Sequence, residues 1–439
     1  MKKLLFFISI IIFVSLLCFF SFFMLNPITI SNISYSSLNP DNSLTVYMDI
    51  SNDYFDSLCS IDGNEWIKPV NGKCEFNVND GDYKLKVKNS FTNDYKEIQI
   101  KINEITKVTI NTHEYYLAPG ESYNLRLSFE VIGDVPNKEV TWMSEDENIV
   151  KVDNGKITGN NVGTTNVKVT TKNGISDSIK VIVTDIIRKP ELDDNKSKVP
   201  CNKYSKEENE LLDKILESRV AAEEPGSRAA MIQVLRFITL NFRYKVPYFF
   251  EHGRLNNTNG QRYVDGEGRY YHKGLYLNES KFKDLKAIHS GPAIWGCGLV
   301  NYDDEYGWKI GALYPNGLDC SGFVTWAMLN SGHDVGDIGS GISYGIDDMS
   351  DIGEMHELTY EYANARQYKV GDIVARDGHT ALIAGLDDNY IYIAESLLKG
   401  VRINKLSYTD KNSDLYRLYG YINTLDNFYT SEGTYTVMW

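Results

Sequence analysis

From Ile28 to Asp185 apolar and polar residues alternate in short runs broken by turn signals, and this confines the stretch to β-structure. SLTVYMDI at 43–50, CEFNVN at 74–79 and YKLKVKN at 83–89 each put alternate side chains on one face. Asp62-Gly63 and the Asn79 to Gly81 stretch supply the reversals. Residues 27–105 are therefore expected to form a small Ig-like β-sandwich. Cys59 and Cys74 flank one of its turn regions and can close a hairpin disulfide outside the cell.

Residues 106–186 form a second all-β unit. LAPGESYNLRLSF at 117–129 is followed by VTWMSEDENIVKVDNGKITGNNVGTTNVKV at 140–169. In the order of Trp142, the VDNGKITG turn and Gly163-Thr164, this segment resembles the group 2 bacterial immunoglobulin-like domain. The resemblance implies a stalk or wall-adhesion module rather than a catalyst. Trp142 is the expected core plug, and His113 is expected on a strand surface.

Ahead of these units, Lys2 and Lys3 precede a run from Leu4 to Leu25 that carries no charge. Such a run is long enough to cross a bilayer core of about 30 Å as a helix. No small-residue cleavage site follows it, and the lysines favour an N-in orientation. The expectation is a membrane anchor in residues 1–26 with its helix at 4–25. The protein would be single-pass in the cell membrane with an extracellular C-terminal region, or secreted if the segment is cleaved. Cys18 lacks the small preceding residue of a lipoprotein signal and reads as packing sequence.

The formal net charge is −14 with no long basic run, which argues against nucleic acid as a partner. It also gives the protein little general attraction to an anionic bacterial wall, so any binding there must be local.

Residues 187–204, containing RKPELDDNKSKVP, read as a linker. The remainder, 205–439, changes character. SKEENELLDKILESRVAA places Leu211, Leu212, Ile215 and Leu216 on one helical stripe, Pro225-Gly226 breaks it, and Ser227 caps a second helix. An α+β domain is expected here, with an insert at about 252–314.

Within it, GLDCSGFVTWAML at 317–329 sets Cys320 at the start of an apolar helical face that Gly332 ends. The first turn of a helix favours an anion, so a thiolate could form there. Further on, KVGDIVARDGHTALIAGLDDNYIYIAES reads as three strands joined by turns at Asp377-Gly378 and near Asp388. With the second turn centred near Asp388, Ala381 faces Glu395, and His379 lies diagonally from Glu395 on one face. A carboxylate in that apolar run needs a partner. Cys320, His379 and Glu395 thus form a candidate nucleophile, base and orienting group. Ser396 or Asn404 could replace Glu395 as the polar partner. Cys320 could instead pair with Cys297. If Cys59 joins Cys74 and Cys201 joins Cys297, Cys320 is left over.

LDCSGFVTWAM, the downstream VGDIVARDGHTALIAG and the upstream FRYKVPYFFEHGR together resemble the NlpC family of papain-like cell-wall cysteine peptidases. The resemblance spans residues 241–396. It implies a papain-like fold, a Cys-His-polar triad and hydrolysis of peptidoglycan stem peptides, commonly next to D-isoglutamate. By position Cys320 matches the nucleophile, His379 the base and Tyr248 a tyrosine lining the site, while Asp319 and Ser321 match residues that hold the substrate amine. Two departures stand out. Tyr248 and Cys320 are 72 residues apart, far more than in the family. Glu395 is similar to the third residue of the related CHAP amidase-peptidases, which keeps an N-acetylmuramoyl-L-alanine amidase open. A non-catalytic wall-binding or adhesion protein is the remaining alternative. The insert carries Tyr263, Tyr270, Tyr271, Tyr276 and Trp295, which could stack on substrate or form the insert's own core. Its histidines His252, His272 and His289 match no zinc spacing. No cofactor or metal is expected. Peptidoglycan and, through the N-terminal helix, the cell membrane are the expected partners, and the sequence leaves oligomeric state open.

Overall fold

The computed structural model describes residues 8–16, 27–36, 43–51, 57–79, 81–89, 95–102, 104–132, 138–193, 195–197, 203–248, 274, 276–277, 285–287, 293–294, 299–301, 313–314, 317–333 and 352–439. Two compact units emerge. One comprises residues 1–109, 127–142 and 169–177, and the other residues 110–126, 143–168 and 178–439.

The first unit contains two three-stranded antiparallel sheets. Leu44–Ser51 lies between Thr29–Tyr35 and Lys73–Val78, and Gly81–Asn89 lies between Ser57–Ile61 and Tyr95–Ile102. Alternation decides the packing: Leu44, Val46 and Met48 point inward and meet Leu85 and Val87 of the other sheet in one core. Cys59 and Cys74, both buried, form a disulfide between the two sheets. Cys201 and Cys297 lie outside the described residues, so their expected pairing does too.

The second unit includes part of the Ig-like segment. Lys156–Gly159 pairs with Val150–Asp153 and Ser122–Asn124, and Ser176–Val183 runs parallel to Glu114–Leu117. Tyr115 and Tyr116 are its large buried rings. Trp142, which falls in the first unit, is only half-buried in a strand with no fully buried position, so it is not the expected core plug.

Helix α1 (Lys206–Ala221) begins at a capping box in which Ser205 and Glu208 satisfy each other's backbone N–H groups. It buries Leu212, Ile215 and Leu216. Helix α2 (Arg228–Arg236) is capped by Ser227, which accepts from Ala230 N. Helix α3 (Cys320–Ser331) is capped by Asp319 and ends at Gly332, whose φ of 102° suits glycine. Helices α2 and α3 lie against an antiparallel sheet made of β1 (Glu354–Glu357), β2 (Ile373–Arg376), β3 (His379–Leu386), β4 (Tyr390–Leu397), β5 (Gly400–Ser407) and β6 (Tyr421–Thr424). Its order is β1-β6-β2-β3-β4-β5. Leu382 and Ala384 of β3 pack with Phe323 and Trp326 of α3, while Ala381 and Ile383 belong to a second cluster with Ile393, Leu406 and Ile422. Burial on both faces explains why β3 carries apolar residues at successive positions.

The expected fold class requires correction on two counts. Among the described residues no helix is long and apolar enough to cross a membrane. Of the expected 4–25 helix, residues 8–16 are described, and they are helical. The rest of the 4–25 run lies outside the described residues, and the single-pass membrane localisation falls with the anchor. The papain-like assignment is corrected as well. The described chain is mostly β-sheet, of which the Ig-like parts fit the expectation, with few helices. The 252–314 insert, with the tyrosines, Trp295 and histidines singled out in it, lies largely outside the described residues.

Candidate functional site

Cys320 begins α3 because Asp319 holds the preceding turn. Asp319 Oδ1 accepts from Gly322 N at 2.7 Å and from Ser321 Oγ at 3.2 Å. Both residues are buried, and both form the cap on which the cysteine sits. Gly317 is needed just upstream, since a Cβ there would come within 2.2 Å of Pro247 O. Leu318 is tied on both sides: its N–H donates to Pro247 O, and its carbonyl accepts from Ser396 Oγ at 2.7 Å. One backbone segment, at Pro247, and one strand, β4, therefore fix the approach to Cys320.

Among the described residues Cys320 is the free cysteine, and it is 8% exposed. Burial pushes its thiol up to about 11, and Asp319 pushes the same way. Hydrogen bonds from the backbone N–H groups of Thr380, Ser321 and Cys320 itself favour the thiolate without overturning this. The helix start thus offsets burial only in part. Thr380 follows His379, so the same contact brings the first turn of α3 to the start of β3. Tyr248 stands beside this site, its phenol pushed up by burial and by Asp319 and Cys320.

His379 and Glu395 meet across the β3–β4 hairpin. Leu382 faces Ala394, a register that carries Ala381 opposite Glu395 and His379 onto the diagonal. His379 Nε2 lies 3.1 Å from Glu395 Oε2, and both side chains are buried. Burial alone would raise the Glu395 carboxyl. Hydrogen bonds from His379 and Tyr419, with the charge of Arg402, outweigh it and hold the group below its ordinary range. Tyr419 donates to Oε2 at 2.6 Å, and Arg402 grips Oε1 with Nε at 3.0 Å and Nη2 at 2.8 Å. An ionised carboxylate only accepts hydrogen bonds, so the imidazole proton resides on Nε2. In the neutral ring Nδ1 is then the basic nitrogen. Chemically the arrangement offers a buried thiol held by the backbone N–H of Thr380, the residue that follows an oriented imidazole.

The structure thus joins His379 to Glu395, and Cys320 to Thr380, Asp319 and Tyr248. Ser396 is occupied with Leu318, and Asn404 lies across from Ile393. Sequence reasoning missed Arg402 and Tyr419. For Arg402 a signal existed: the tight turn at Leu398-Lys399 puts it directly opposite Glu395. Among the described residues no group of three or more His, Cys, Asp or Glu side chains is placed to hold a metal ion.

Residues 104–182 match the bacterial Ig-like domain (group 2) family, so the chain carries such a domain. No curated protein matches the chain significantly. Among solved structures, domains 4 and 5 of the S-layer protein SbsC align at 13% identity and a TM-score of 0.23, covering 36% of this chain and 96% of that one. A C-terminal fragment of intimin, solved with the intimin-binding domain of its translocated receptor, aligns at 14% identity and a TM-score of 0.18, covering 43% and 79%. The titin Ig tandem A164-A165 gives 13% and 0.16, covering 36% and 97%. Scores this low assign neither function nor partner.

Proposed function

We propose that this is a surface-associated protein that binds the bacterial cell wall, and that its second unit carries a thiol hydrolase acting on wall peptides. The first part is supported by the bacterial Ig-like domain at 104–182. The Cys59–Cys74 disulfide fits an oxidising compartment outside the cytoplasm.

The hydrolase reading is carried by one observation: Glu395 holds His379 in a defined tautomer while the N–H of the next residue meets the Cys320 sulfur. In this reading the thiol rests neutral and gives its proton to His379 Nδ1 as sulfur attacks an amide carbonyl. The C–N bond breaks, the leaving amine takes the proton from His379, and the acyl group stays on sulfur as a thioester. Water, deprotonated by the same nitrogen, cleaves the thioester and restores the thiol. Arg402 and Tyr419 keep Glu395 charged throughout, which stabilises the transient imidazolium. The substrate class is the peptidoglycan stem peptide, with the bond next to D-isoglutamate as the main reading and the lactyl–L-alanine amide as the amidase alternative.

Purified peptidoglycan tests both parts. Co-sedimentation of the full chain reads binding, and release of new amine ends reads hydrolysis. Binding without new ends leaves the non-catalytic adhesion reading, and neither result overturns both parts.

A further inference from the structure

A cavity of about 500 Å³ lies within the second unit and includes none of Cys320, His379, Glu395, Arg402 or Tyr419 in its walls. Its volume falls in the range of about 300–1,000 Å³ typical of small-ligand sites. One wall comes from the Ig-like segment, through Tyr115, Tyr123 and Lys156, and another from α2, through Gln233 and Arg236. Trp439 adds a further ring.

The charge of this cavity runs against that of the chain. Arg126, Lys156, Lys189, Arg219 and Arg236 face two carboxylates, Glu121 and Glu223. Those carboxylates are taken: Glu121 by Arg219 at 2.7 Å, and Glu223 by Arg126. The other three cations make no ion pair among the described residues. Arg236 donates only to the carbonyls of Ala384 and Thr436, and burial lowers its pKa to about 10. The Nε of Arg219, a side chain 2% exposed, is buried without a hydrogen-bond acceptor. A net −14 protein thus keeps an uncompensated cationic surface in a concave site. The lining is also aromatic: partly buried Tyr123 stacks on buried Tyr115 at 4.0 Å, and Trp439 lies within cation–π range of Arg236. Ser122, Asn124 and Gln233 add neutral hydrogen-bonding groups.

We propose that this cavity binds an anionic saccharide, with the cations taking a carboxylate or phosphate group and the rings and amides taking the sugar. Carboxylate and phosphate are both present in wall glycans, as muramic acid and as phosphodiester polymers. The proposal deepens the wall-binding reading and rests on it, giving an acidic protein a local foothold on an acidic wall.

The test uses the full chain, wild-type and Lys156→Glu/Lys189→Glu. Both substitutions are on exposed residues away from the catalytic candidates. Three probes are titrated calorimetrically: N-acetylglucosaminyl-N-acetylmuramic acid, polyglycerol phosphate, and neutral chitobiose. One of the two anionic probes should bind wild-type protein at least tenfold more tightly than chitobiose, with affinity falling as salt rises. The double variant should lose at least tenfold in that affinity with an unchanged melting temperature. Which anionic probe binds separates the carboxylate from the phosphate source. If the double variant does not fold, Lys189→Gln alone should still weaken anion binding severalfold. Equal binding of the neutral and anionic probes, or affinity indifferent to the substitutions, overturns the proposal. Wild-type protein that sediments with whole walls but binds no probe overturns the cavity while leaving the wall-binding reading intact. Failure to sediment with walls as well removes both.

Discussion

Glu395 Oε2 lies 3.1 Å from His379 Nε2 and only 2.6 Å from the Tyr419 hydroxyl. With Arg402 on the other oxygen, the carboxylate is saturated from three sides and kept ionised in a buried position. The histidine tautomer is thereby set by Glu395 on β4, Arg402 on β5 and Tyr419 just ahead of β6 rather than by the histidine's own strand.

Tyr419→Phe removes a short hydrogen bond to a buried charge. It should cost about 1.5–3 kcal/mol of stability and lower hydrolysis without abolishing it, since Arg402 still holds Glu395. Chemical denaturation and turnover on a stem-peptide substrate read the two effects.

Glu395→Gln removes the charge and keeps a hydrogen-bond acceptor for His379. The folded-state pKa of Glu395 lies below its ordinary value of 4.5. Its contribution to stability is therefore complete above that value and is lost as pH falls through the lower, folded-state value. The stability gap between wild-type and Glu395→Gln should be widest near neutrality and close in acid. A gap that stayed constant with pH would show that the carboxylate is not held ionised.

With its thiol near 11, Cys320 should be alkylated ever faster as pH rises through 10, with no plateau near 9. Iodoacetamide labelling across pH reads this profile. A fast reaction at pH 7 that is lost in His379→Ala would mean that a resting thiolate–imidazolium pair replaces the neutral thiol.

Arg228 is fully buried and donates to Asp372 Oδ1 at 2.6 Å, tying α2 to the turn before β2. Arg228→Met leaves that carboxylate unpaired and should cost about 3–5 kcal/mol. Adding Asp372→Leu should recover part of the loss. Melting of the single and double variants checks the sign of the coupling.

What could be read from the sequence was local. The Ser227 cap is a signal within a single helical turn, and alternation alone identifies the Ig-like strands. The diagonal of His379 and Glu395 follows from one hairpin register, so their proximity is legible even though their role is not. Tyr419 was invisible because it is 24 residues from Glu395 and reaches it only through the tertiary fold. The cationic cavity combines residues from 115 to 439, no two clusters of which look basic by themselves.

The central claim is that Cys320 cuts wall peptides with His379 and Glu395 behind it. The most direct measurement is mass spectrometry of purified peptidoglycan incubated with wild-type protein and with Cys320→Ala. The account predicts new peptide ends with wild-type: a freed stem-peptide amine for the endopeptidase, or a free lactyl group with a free L-alanine amine for the amidase. It predicts no new ends with a folded Cys320→Ala variant. No new ends with wild-type, or the same ends at the same rate from both proteins, would contradict it.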